Sequence, residues 1–184
     1  MIYTATTGGE RGPAAGVVAA SAVFLGGVCY TIATAIGISA VMAAYPAAFA
    51  AIRVAGIIYL IFLGIKQLNK ARDTSAPAPA PNATGGVFRT GFLIAITNPQ
   101  LATFFLAFLP QFVVADGGPV WLQFLKLGVT FNLCSFLTIG TIGIVTGFAG
   151  KVDVGGTRFR QVMRVIAGLA FIVVALRSAR ALLA

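Results

Sequence analysis

Five apolar runs, each near or above the ~20 residues a helix needs to cross a bilayer, constrain this chain more than any single motif does. They fall roughly at Ala14 to Met42, Ala47 to Lys66, Phe88 to Leu109, Val120 to Phe148 and Gln161 to Leu183. Only 9% of the 184 residues are charged and 59% are hydrophobic, giving a mean hydropathy of +0.97. So little charge cannot solvate a globular surface. The expected class is therefore an all-α integral membrane protein, a helical bundle forming one domain over residues 1–184.

The formal charge of +9 would suit nucleic acid only if the basic residues shared a soluble face. They stand instead near the ends of the apolar runs, where they orient a chain in a membrane, and no nucleic-acid partner is expected. Two cysteines far apart, no histidine and no metal-ligand spacing leave no basis for a metal or cofactor. No nucleophile–base pair, carboxylate pair or phosphate-cradling loop is present, so an enzyme is not expected either.

Charge placement gives the orientation. Residues 69–86 contain the Pro/Ala tract TSAPAPAPNATGG, a loop with little to bury, flanked by Lys66, Lys70, Arg72 and Arg89 against the single acid Asp73. The positive-inside rule makes this loop cytoplasmic. Lys151, Arg158, Arg160 and Arg164 mark the connection before the last run as cytoplasmic too, whereas residues 113–119 carry only Asp116. Alternation then puts the C-terminus on the periplasmic side, with Arg177 and Arg180 snorkelling to headgroups.

One run is interrupted near its middle by Asn98-Pro99. Proline lacks an N–H and its ring clashes with the carbonyl four residues back, so the helix should bend there and release the Ala95 carbonyl beside the Asn98 amide. In hydrocarbon such groups must be paired within the protein or line a cavity, so the break is either a packing kink or half of a solute site.

Other candidates carry two readings each. Arg53 lies about six residues, or ~9 Å, inside the outer end of its run; it either meets a substrate carboxylate bidentately or snorkels outward. Tyr30 and Tyr59 either contact a polar solute or pack with the hydroxyl on a backbone carbonyl. Gly26, Gly56, Gly64, Gly143 and Gly147 suit close helix packing or a hinge, with Gly143 and Gly147 forming a GxxxG. Pro110, next to Gln111, is expected to end the kinked helix at the outer surface. The acids Glu10, Asp73, Asp116 and Asp153 all fall in loops or near ends, which leaves no intramembrane carboxylate to carry a proton. FAAIRVAGIIYLIFLGIK and FRQVMRVIAGLAFIVVALR share an initial Phe, an Arg-Val and a following Gly, the trace of an internal repeat of three-helix units whose second copy is inverted.

Two stretches, TNPQLATFFLAFLPQF and RVAGIIYLIFLGIK, resemble the Asn-Pro-Lys helix with its Pro-Gln-Phe end and the Gly-x-x-Tyr-Leu helix of the LysE/RhtB amino-acid exporters. The resemblance extends over nearly the whole chain. It implies six transmembrane helices in two inverted three-helix repeats, five of them present here. It also implies export of amino acids or similar small metabolites across the bacterial inner membrane, coupled to protons, with a homo-oligomer possible. Gln100 stands where that family often has Lys, Arg53 where Lys is common and Tyr30 where some members carry His. Asn98, Pro99, Gln100, Arg53, Tyr30 and Tyr59 are the expected substrate-binding or pathway residues. Met1 stands where the family's first helix ends in Pro-Gly-Pro, so that helix and its contribution to the site are expected to be missing. Two alternatives differ in class: a transmembrane thiol carrier of the DsbD/CcdA type using Cys29 and Cys134, and an inactive truncated remnant.

Overall fold

The computed structural model describes residues 1–71, 86–114, 116–149 and 157–183, and among them every regular element is a helix. These are α1 (Ile2–Arg11), α2 (Pro13–Ala44), α3 (Pro46–Ala71), α4 (Val87–Ile96), α5 (Pro99–Thr103), α6 (Val120–Ala149) and α7 (Thr157–Leu183). A π turn (Phe104–Phe108) and a 3₁₀ turn (Leu109–Phe112) continue α5. Prolines open α2, α3 and α5, where a missing N–H costs nothing and a fixed φ is already helical.

The helices cover all five expected runs. Among the described residues α2, α3 and α6 are each long and apolar enough to cross a membrane, and α4 with its bent continuation passes the same test only when the two are taken together as one broken span. Their outer faces carry Ile36, Leu137 and Phe148 at 69%, 67% and 81% exposure, a surface that water would penalise and lipid tails would not. Most of the central loop, residues 72–85, lies outside the described residues; its expected first residues, Asn69 to Ala71, belong to α3.

The stretch before Ala14 holds a helix that the sequence reading did not anticipate. Ile2–Arg11 contains three threonines and two glycines, weak helix formers, so its helicity rests on packing. Tyr3, Thr4, Thr7 and Gly8 are buried. Gly12 ends α1 at φ +89°, a conformation that side chains resist, and Pro13 restarts the chain as α2.

The chain divides into two compact units. The first comprises Met1–Ala33, Pro77–Ala102 and Leu125–Val154. In it Gly16 and Gly143 meet backbone to backbone: a Cβ at Gly143 would lie 3.0 Å from the Gly16 carbonyl. A Cβ at Gly147 would run into Pro13. Tyr3 donates its hydroxyl to the Val87 carbonyl at 2.8 Å, pinning α1 to the start of α4.

The second unit comprises Thr34–Ala76, Thr103–Phe124 and Gly155–Ala184. Its core is Ile57, Leu60 and Ala175 with Phe108, Phe171, Val174 and Ala179 packed around them. Phe104 stacks on Phe108 at 4.5 Å, and Phe108 meets Phe171 edge-on at 6.2 Å. Gly64 faces Gly168, whose carbonyl would be 2.9 Å from an added Cβ. Arg164 donates to the Lys70 carbonyl at 2.6 Å, closing the last turn of α3 with a cation. Gln123 fastens the loop before α6 by accepting from Val114 N–H and donating to the Val114 and Gly118 carbonyls.

Candidate solute site at the broken helix

α4 ends at Ile96, α5 begins at Pro99, and the axis turns by 48° between them. Pro99 cannot supply the N–H that the Ala95 carbonyl would have taken, and that carbonyl accepts from the Asn98 backbone N–H instead, at 3.2 Å. The carbonyl that needs outside help is therefore Ile96, not Ala95 as the sequence reading supposed. Asn98 Oδ1 accepts from the Gln100 N–H at 2.9 Å, capping α5 and removing the partner Ile96 would have had in a continuous helix. Tyr30, reaching across from α2, donates its hydroxyl to the Ile96 carbonyl at 2.6 Å. The break is thus a wired junction: one side chain caps its far arm and another satisfies its near arm.

A cavity of about 190 Å³ opens beside the junction within the first unit. Asn98, Asn132 and Ser135 give it polar points, and Phe24, Phe131, Phe136, Ile94, Leu101 and Ile139 give it an apolar wall. With Asn98 Oδ1 already accepting the cap bond, the donor that Asn98 can offer is its Nδ2. Asn132 is oriented the opposite way. Its Nδ2 donates to Thr31 Oγ1 at 2.9 Å, and Thr31 Oγ1 donates to the Gly27 carbonyl at 3.0 Å, leaving Asn132 Oδ1 as an acceptor. Gly27 makes room for it, since a Cβ there would collide with that oxygen. A donor and an acceptor in an apolar shell suit a small neutral solute that is itself polar at one end and apolar at the other.

Of the expected site residues, Asn98, Pro99, Gln100 and Tyr30 belong to this unit, and Asn98 lines the cavity. Pro99 and Gln100 are exposed, and Gln100 contributes its backbone N–H to the cap. Arg53 and Tyr59 belong to the second unit. There Tyr59 is half-buried with its ring 6.1 Å from Phe62. Arg53 offers its backbone carbonyl to Gln111 Nε2 at 2.9 Å, while its own Nε is buried without a hydrogen-bond partner. Gly56 lets this approach happen: a Cβ there would sit 2.7 Å from both the Ala107 carbonyl and Gln111 Nε2. Gly26 likewise admits Ala95, whose Cβ would be 2.6 Å from an added one. Pro110 is buried in the 3₁₀ turn, and the kinked segment ends at Phe112.

Asn132, Thr31, Ser135 and Gln111 carry polar chemistry that the sequence reading passed over. Asn132 had a usable signal, an uncharged polar residue in the middle of an apolar run, where such groups are costly and need a reason.

The sequence matches the family described as LysE type translocator over residues 1–181. The chain belongs to the LysE-type translocator family. Among curated relatives, this translocator is 32% identical to an uncharacterized membrane protein of Pseudomonas aeruginosa over 152 residues, covering 79% of this chain and 70% of the relative. It is 28% identical to a leucine efflux protein of Enterobacter sp. over 138 residues, 74% of this chain and 65% of the relative. Against a leucine efflux protein of Salmonella typhimurium the identity is 25% over 171 residues, 92% and 81% of the two chains. No solved structure matches. The family is one of membrane translocators, which supports the exporter reading and not the thiol-carrier alternative. Cys29 and Cys134 are free thiols.

Proposed function

We propose that this translocator exports small neutral amino acids with apolar side chains, leucine among them, across the bacterial inner membrane. The observation that carries the reading is the cavity at the Asn98–Pro99 break, lined by two amides, Asn98 and Asn132, together with an aromatic and aliphatic wall. The α-carboxylate would take the Asn98 Nδ2–H and the α-ammonium the Asn132 Oδ1, with the side chain against Phe24 and Phe136. Among the described residues no acidic side chain lines the cavity, so a lysine-like side chain would enter without a partner and is disfavoured. The leucine efflux relatives support the same substrate class.

The remaining parts of the reading are the arrangement and the drive. The architecture is that of a 3+3 inverted-repeat bundle, with the central loop cytoplasmic and the C-terminus periplasmic, and export is coupled to the proton gradient. Cells loaded with a panel of amino acids test it. Expression should speed leucine efflux, and Asn98→Ala should slow it by roughly tenfold, the scale of one lost specific polar contact, at unchanged membrane level. Efflux identical in wild type, Asn98→Ala and empty cells would reject the assignment. A protonophore that leaves efflux untouched would reject the coupling alone.

A further inference from the structure

The second unit holds a polar site that the first does not explain. Gln111 Nε2 donates to two carbonyls, Arg53 at 2.9 Å and Ala107 at 3.1 Å. Both amide hydrogens are spent, and a flipped amide would set oxygen against two carbonyl oxygens, so the orientation of Gln111 is fixed by its surroundings. Its Oε1 is thereby aimed away from the clamp, buried and without a hydrogen-bond partner. On the residue whose carbonyl the amide grips, Arg53 Nε is buried and equally without a partner. Two residues joined by one hydrogen bond therefore carry an unsatisfied acceptor and an unsatisfied guanidinium N–H, and the clamp that joins them has room because position 56 is glycine.

Leaving either group unsatisfied in a low-dielectric interior is costly, and natural proteins tolerate it mainly where something binds. The occupant must bring an acceptor, preferably anionic, for Arg53 and a donor, preferably cationic, for Gln111 Oε1. A simple anion fills the first half only, and a simple cation the second. We propose that Arg53 and Gln111 form a second recognition site for the zwitterionic head group of an α-amino acid, its carboxylate on the Arg53 guanidinium and its ammonium on Gln111 Oε1. This rests on the amino-acid export reading and adds Gln111 as a residue that reads the amino group.

Reconstituted full-length protein, assayed for efflux of labelled leucine with leucinamide and N-acetyl-leucine as competitors, separates the halves. Leucinamide lacks the carboxylate and N-acetyl-leucine lacks the ammonium. Wild type should prefer leucine over each by about tenfold or more, as a site built for a polar group rejects an analogue without it. Arg53→Gln should lower the preference over leucinamide several-fold and keep that over N-acetyl-leucine; Gln111→Met should do the reverse. Arg53→Lys, which keeps the charge, should retain most of the preference over leucinamide. Preference ratios unchanged in variants that still export would overturn the site, leaving water as the partner of the two buried atoms, while the export reading stands. Absence of amino-acid efflux by wild type would sink both. Should the Gln variants fail to reach the membrane, thermal stabilisation of purified wild type decides, and equal stabilisation by leucine, leucinamide and N-acetyl-leucine overturns the site.

Discussion

One apolar segment is broken twice by proline, and the two breaks are repaired differently. At Pro99 the chain changes direction: Asn98 caps the new helix, the axis turns by 48°, and Tyr30 takes the carbonyl left over. At Pro110 the chain changes register instead. A π turn over Phe104–Phe108 runs into a 3₁₀ turn over Leu109–Phe112, and the Gln111 amide collects the Ala107 carbonyl. The first proline thus goes with a cap and a bend, and the second with an altered winding beside a side-chain clamp. What decides between them is the neighbouring side chain. Asn98, one residue before its proline, can only reach forward into the next turn, whereas Gln111, one residue after, can reach back.

The largest effect should come from the clamp. Gln111→Leu leaves the Ala107 and Arg53 carbonyls without their amide donor and should cost about 2 kcal/mol, read as a lowered unfolding temperature in detergent. Gly56→Ala attacks the same place sterically and should cost on the order of 1–2 kcal/mol; if it is neutral, the clamp is looser than its distances imply. Asn98→Ala should cost about 1 kcal/mol through the lost cap, and Asn98→Asp, which keeps a capping oxygen, should restore that stability while remaining defective in efflux. An Asp variant that exports like wild type would show that Asn98 serves the bend alone. Tyr30→Phe should have the smallest effect, about 0.5–1 kcal/mol, and should combine non-additively with Asn98→Ala because both act on one junction. Strict additivity would mean that the cap and the hydroxyl do not cooperate.

The helices were legible as apolar runs, which leave no other structure in lipid, and Pro13, Pro46 and Pro99 open three of the observed helices. The sequence also located the break at Asn98. It did not reveal α1, since TATTGGER has no local reason to be helical and becomes so through burial of Thr4, Thr7 and Gly8. The proline rule points to the Ala95 carbonyl and not to Ile96, because it counts the hydrogen bond that is lost and says nothing of the turn that replaces it. Gln111 was equally hidden. Read in the string it is a polar residue at a helix end, and only the approach of α3 at Gly56 turns it into a clamp. The placement of Tyr30 agrees with the packing reading, its hydroxyl on a backbone carbonyl, and that bond belongs to the junction itself.

The glycine crossing between Gly16 and Gly143 has a consequence for entropy. Two helices that meet through main chain alone immobilise no rotamers, so this contact forms without the side-chain ordering cost that a leucine or methionine seam of equal area would carry. Any side chain introduced there would bring both bulk and torsions to freeze.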